Sequence, residues 1–246
     1  MRLMLSALLI FTLVIVLAGC ARSPAGLITN NAPPQTIYSE ITVAGNINPT
    51  YYYFFAIDTS GNQGEGPIPV TLGTGYGNGW GTLYPVNANG PVQQPSFFVR
   101  IYNGTAEEYR VDPTTQIANP IGSPYRWQVM AADHTPSQTG PILSVEIDTR
   151  QLMPPGTALP AGINVNWITM QTIATSPQNV GVSNIYDGFT GASGTSGNGF
   201  FWVPLGISNA WTSGYNGVPS QNSQTSPAAT LTDINLVNWL IVDRLN

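Results

Sequence analysis

The sequence has no lysine, and its seven basic residues, all arginine, are scattered singly along the chain. Proteins that hold nucleic acid set clustered basic groups against the phosphates, so nucleic acid is excluded as a partner. Charge of either sign is scarce: 8% of residues are charged against 42% hydrophobic. The exterior must therefore be made largely of Ser, Thr, Asn, Gln and Gly. Disorder usually comes with high net charge and few aromatics, whereas 10% of this chain is aromatic, which points to a folded domain. There is one histidine, one cysteine and no G-x-S-x-G nucleophile motif, so hydrolytic chemistry would have to rest on carboxylates. No stretch shows the period of a long amphipathic helix, and no internal repeat aligns.

What is present begins at the N-terminus. After Met1 and Arg2 an apolar run extends from Leu3 to Gly19, broken only by Ser6 and Thr12, and it ends in Leu17-Ala18-Gly19-Cys20. A short positive segment followed by such a run is a secretory signal. Its last four residues resemble the lipobox of bacterial lipoproteins, which implies cleavage before Cys20 and a lipid on its thiol. This accounts for a lone cysteine in an exported chain. The alternative is an uncleaved anchor, since the run is only slightly shorter than the ~20 residues of a spanning helix. Ala21 stands where many inner-membrane lipoproteins carry Asp, so the resemblance implies attachment at the outer membrane or cell surface. The mature part would carry six arginines against twelve carboxylates. The membrane, through the lipid, is the expected partner, with a carbohydrate or an envelope protein as the expected ligand.

Residues 21 to 36, with Pro, Gly and Asn and no periodicity, are expected to form a tether. Residues 37 to 246 are then expected to form one antiparallel β-sandwich, because brief β-branched or aromatic runs recur between Gly, Pro and Asn. The runs span 37 to 44, 51 to 58, 97 to 102, 106 to 111, 125 to 131, 142 to 148, 163 to 170, 200 to 205 and 234 to 242. Asn103-Gly104 predicts a two-residue type I′ hairpin turn. In ILSVEID, alternation places Leu143, Val145 and Ile147 on a buried face and Ser144, Glu146 and Asp148 on a wet one. The run INLVNWLIV is apolar on both faces and is expected to lie centrally.

The stretches YYYFFAIDTSGNQGEGP, GNGWG and ILSVEIDTRQL resemble a group of bacterial secreted proteins of unknown function. More distantly they resemble the sandwich of DOMON domains and family-nine carbohydrate-binding modules. That resemblance implies binding of a sugar or haem rather than catalysis, and it transfers no binding residue.

Three segments are candidate sites. In DTSGNQGEG, Asp58, Ser60, Asn62 and Glu65 could offer oxygen ligands to Ca2+. The spacing fails the EF-hand pattern, with Gln63 in the place of its glycine and Pro69 in the place of its glutamate. The competing reading is a turn in which Asp58 and Asn62 satisfy backbone donors. Tyr76, Trp80 and Tyr84, together with Trp211 and Tyr215, could stack on a ligand such as a sugar, or could simply close the ends of the sandwich. His134 could pair with Met130, Met153 or Met170 as a haem ligand, although its neighbours suggest a solvated turn. No catalytic residue is assigned: Glu107 and Glu108 are adjacent in a strand and project to opposite faces. The expected function is a membrane-anchored, non-catalytic binding or structural module. A carbohydrate-active enzyme using carboxylates, or a haem-binding domain, is the alternative.

Overall fold

A computed structural model of the chain describes residues 33–64, 66–67, 95–114, 118–171, 186–189, 200–212 and 232–245. These residues are all-β apart from one short 3-10 turn, Thr149–Gln151. The strands are β1 (Gln35–Val43), β2 (Tyr52–Asp58), β3 (Phe97–Tyr102), β4 (Thr105–Val111), β5 (Ala118–Gly122) and β6 (Arg126–Met130), followed by β7 (Ile142–Asp148), β8 (Gly162–Met170), β9 (Tyr186–Gly188), β10 (Phe201–Pro204), β11 (Ala210–Thr212) and β12 (Leu236–Leu245). One sheet has the order β11-β12-β1-β7-β6. The other has the order β10-β8-β2-β3-β4-β5, with β9 also on β8. All their pairings are antiparallel, and the two sheets pack as a β-sandwich.

Alternation along the strands decides what lies between the sheets. Ile37 and Ile41 from β1, Tyr53, Phe55 and Ile57 from β2, Leu143, Val145 and Ile147 from β7, and Val165 and Trp167 from β8 form one buried cluster. Trp167 packs its ring 5.1 Å from that of Phe55, and its indole N–H donates across the sheets to Ser39 Oγ at 2.7 Å. A buried indole needs such a partner, and Ser39 supplies it from a position that would otherwise be apolar.

The β3–β4 hairpin turns where its sequence dictates. Asn103 (φ 51°) and Gly104 (φ 71°) both occupy the left-handed region, and Tyr102 pairs with Thr105 across the two-residue loop.

Two expectations are corrected, and three strands are added to those read from the sequence. The run from 234 does not lie in the middle of a two-sided core: β12 starts at Leu236, carries the exposed Val237 and has only the three-residue β11 between it and the sheet edge. The outward side of β7 is not wet: Ser144, Glu146 and Asp148 are all buried, Ser144 donating to Gln128 O of β6, Glu146 accepting from Thr36 of β1 and Arg244 of β12, and Asp148 accepting from Arg150. Strands β5, β9 and β11 carry too little apolar alternation to be recognised as strands in the sequence. In ANPIG the proline is tolerated because β5 lies at an edge, where no ladder bond needs its missing N–H.

Candidate functional site

At one end of the sandwich the sheets part around a cleft of about 400 Å³, toward the lower end of the ~300–1,000 Å³ range of small-molecule sites. Four segments build it. The loop before β2 and the start of that strand give Ile47, Pro49, Tyr51 and Tyr53; the end of β3 and its turn give Ile101 to Gly104. Opposite these stand Trp127, Gln128 and Val129 of β6, with Ser137 and Gln138 from the loop that follows.

The first wall is held by short-range bonds. Asn48 Oδ1 accepts from the backbone N–H of Thr50 (3.0 Å) and from its hydroxyl (2.8 Å), which fixes the turn that delivers Tyr51. The Asn103 N–H donates to Pro49 O at 2.7 Å, tying the hairpin turn to that loop. Tyr53 accepts from the Asn48 N–H and donates to Asp233 O, both at 2.9 Å. Burial pushes its phenol well above the ordinary tyrosine range, so it stays neutral. Tyr102 is oriented by coplanar stacking on Tyr52 at 4.0 Å.

The second wall is an edge strand. β6 pairs with β7 on one side, Gln128 opposite Ser144 and Val129 opposite Leu143. On the other side Val129 O accepts from the Ser137 N–H at 3.0 Å, and the Ala131 N–H donates to Thr135 O at 2.9 Å. Since N–H and C=O of one residue point to the same side of an antiparallel strand, Trp127 also presents its backbone outward. Among the described residues its N–H and C=O meet no partner.

The described lining contains no Asp, Glu, His or Arg. What it presents is aromatic faces, aliphatic contacts, tyrosine and serine hydroxyls and neutral amide groups. Small-molecule sites with such a lining work by burial of apolar surface, with a few hydrogen bonds for orientation.

The residues singled out from the sequence lie elsewhere. Trp211 sits on β11 and is buried, its ring 5.7 Å from Phe201, so it is a core side chain and not an open platform. A strand packed against the opposite sheet leaves that ring no free face. Cys20, Glu65, Tyr76, Trp80, Tyr84 and Tyr215 fall outside the described residues. Asp58, Ser60 and Asn62 share one loop, in which Asp58 accepts from the Ser60 N–H (3.1 Å) and hydroxyl (2.7 Å), and Asn62 Oδ1 accepts from the Gly64 N–H at 3.0 Å. These are the bonds of a turn, reinforced by Gly61 at φ 75° and by Asn164 Nδ2 donating to Asn62 O at 2.7 Å. Among the described residues no three His, Cys, Asp or Glu side chains converge as a metal site.

His134 lies on an exposed turn with φ 63°, its Nδ1 3.5 Å from Glu40 Oε2, while Met170 is buried on the other sheet. Glu107 and Glu108 do project oppositely. Glu107 accepts from Arg100 at 2.5 Å and from the Tyr109 hydroxyl at 2.7 Å, and these two bonds, the tyrosine's first, hold it below the usual carboxylate range. Glu108 is fully buried with neither oxygen hydrogen-bonded. Burial, and then the charge of Asp148, push it up to about 7 against the opposing pull of Arg110. A carboxyl with its proton affinity raised, beside Asp148 that Arg150 clasps at 2.6 to 3.0 Å, is a pattern found at catalytic sites. No substrate reaches a carboxyl with no exposed surface, so the pattern here is structural.

The cleft was missed in the sequence because its parts are far apart in the chain. The only local signals were the aromatic ends of two strands, YYY and YRW. Compared with protein-family models, with curated proteins and with solved structures, the chain gives no match.

Proposed function

We propose that this protein is an exported, lipid-anchored binding module, carried at the outer membrane or cell surface on Cys20, whose uncharged ligand seats in the cleft between β6 and the β3–β4 turn. The observation that carries the reading is the cleft's lining, in which Tyr51, Tyr53 and Trp127 stand with aliphatic side chains and neutral amides and no described residue is ionisable at neutral pH. Anchoring is supported by the Leu17-Ala18-Gly19-Cys20 sequence and by the absence of a second cysteine. A glycosidase needs two carboxyl groups facing each other across its cleft at about 5–10 Å, and the described lining supplies neither.

Two measurements test this reading. Mass spectrometry of the purified N-terminus should show a lipid-modified Cys20 as the first residue; an intact Met1 or an unlipidated main product would refute the anchor. Binding of neutral saccharides and uncharged peptides should be weakened by Trp127→Ala while the circular dichroism spectrum is kept. Binding that is indifferent to Trp127 would remove the cleft from the function.

A further inference from the structure

We infer that the occupant of the cleft is an extended, uncharged peptide segment that adds a strand to the open edge of β6 and inserts one bulky apolar side chain beside Trp127. The inference rests on the cleft being the binding site and names its partner. The first support is that the protein already uses this edge in this way. Residues 135–137 pair antiparallel with its upper half, through the Met130–Pro136 bridge, the Ser137 N–H to Val129 O bond and the Ala131 N–H to Thr135 O bond.

That internal strand then stops. Ser137 Oγ donates to Thr139 O at 2.7 Å and accepts from the Thr139 N–H at 3.2 Å, so the chain turns away from β6. Among the described residues Trp127 N–H and C=O are thereby left open, in register for a strand that continues where residue 137 leaves off. Edge strands with unpaired backbone groups are templates for another strand, and peptide recognition by strand addition takes affinity from the main chain and specificity from pockets for alternate side chains.

The cleft supplies such a pocket in the right place. A residue directly opposite Trp127 in an antiparallel pair points its side chain to the same face as the indole. That face is the one on which Trp127 packs against the inter-sheet core and lines the cleft. Tyr51 and Ile101, which face the inter-sheet core as Trp127 does, would flank the inserted group, and the lack of charge in the described lining favours an apolar one. The neighbouring residues of the peptide would face the Gln128 side and would be polar. The recognised pattern is therefore polar, bulky apolar, polar in extended conformation.

The test uses the full-length chain in detergent and a library of N-acetylated, C-amidated heptapeptides with Thr at alternate positions and uncharged residues varied between them. The best binder is then remade with the amide that would donate to Trp127 C=O methylated, which removes one donor and leaves every side chain intact. The expected result is a loss of about tenfold or more in affinity on methylation, with slowed hydrogen exchange at the Trp127 amide when the unmethylated probe binds. Equal binding of both probes would overturn strand addition and leave the cleft reading standing. So would a library without binders, if maltose binds and Trp127→Ala abolishes it. Protection of the Trp127 amide in a free chain that sediments as a dimer would make a second copy the occupant and would also overturn the proposal. If no probe of either kind binds, the cleft reading fails together with it.

Discussion

The outward faces of the two sheets are both largely buried, but by opposite chemistry. On the β1–β7–β12 face, Tyr38 donates to Glu40 at 2.6 Å, Thr36 donates to Glu146 at 2.8 Å, and Arg244 reaches the same Glu146 oxygen at 3.3 Å while lying 4.1 Å over the Tyr38 ring. On the β2–β3–β4–β8 face, Phe54, Phe98, Tyr109, Ile168 and Met170 form a second apolar cluster, with Phe98 stacked on Tyr109 at 4.9 Å. A buried polar face is stable only while each group keeps its partner, whereas a buried apolar face is stabilised in proportion to the area it hides. The first therefore specifies geometry, and the second supplies most of the energy.

Truncation should expose this difference most strongly on the apolar face. Phe54→Ala removes a fully buried ring and should cost about 3–5 kcal/mol, measured by urea unfolding; a loss below about 1 kcal/mol would show that this face is not core. Next comes Glu108, a carboxyl placed where the inner face should be apolar. The folded chain keeps its proton up to about pH 7, while the unfolded chain releases it near the ordinary glutamate value. Between those two points the unfolded state binds fewer protons, so stability falls as pH rises, by at most about 3 kcal/mol, and falls no further above the window. Glu108→Gln should flatten that slope between pH 4.5 and 7; an unchanged slope would assign it to other groups.

A change on neither face gives the backbone control. Gly104→Val has open space around the added side chain, so its expected cost of about 1–2 kcal/mol comes from positive φ alone. Gly104→Asn, which tolerates that conformation, should recover most of it. The smallest effect belongs to the polar face: Tyr38→Phe removes one hydrogen bond to Glu40 and should cost about 1 kcal/mol. A cost as large as that of Phe54→Ala would erase the contrast.

How much of this was legible in the sequence follows from the range of the interactions concerned. FFVRIY and AEEYRV could be paired by eye because Asn103-Gly104 encodes its own turn. The inward set Tyr53, Phe55 and Ile57 followed from a period of two, and the hydrogen bonds of Asp58 and Asn62 from the habit of short polar side chains to bond backbone two residues on. The polar burial of Glu146 and Ser144 was not legible, because whether the second face of a strand meets water depends on partners more than a hundred residues away, such as Thr36. The cleft was hidden for the same reason. Tyr51 and Trp127 become neighbours only once the two sheets have closed.

The pairing of β1 with β12 sets the order of assembly. Gln35 lies opposite Leu245, and β1 is also bracketed by β7, so the strand that emerges first at the start of the described fold sits at the middle of its sheet. It gains its second neighbour only when the last strand is available. Contacts so distant along the chain carry a large loop-closure cost before they return any stability. The sheet that holds β1 should therefore condense late, once β12 is available to pair with it.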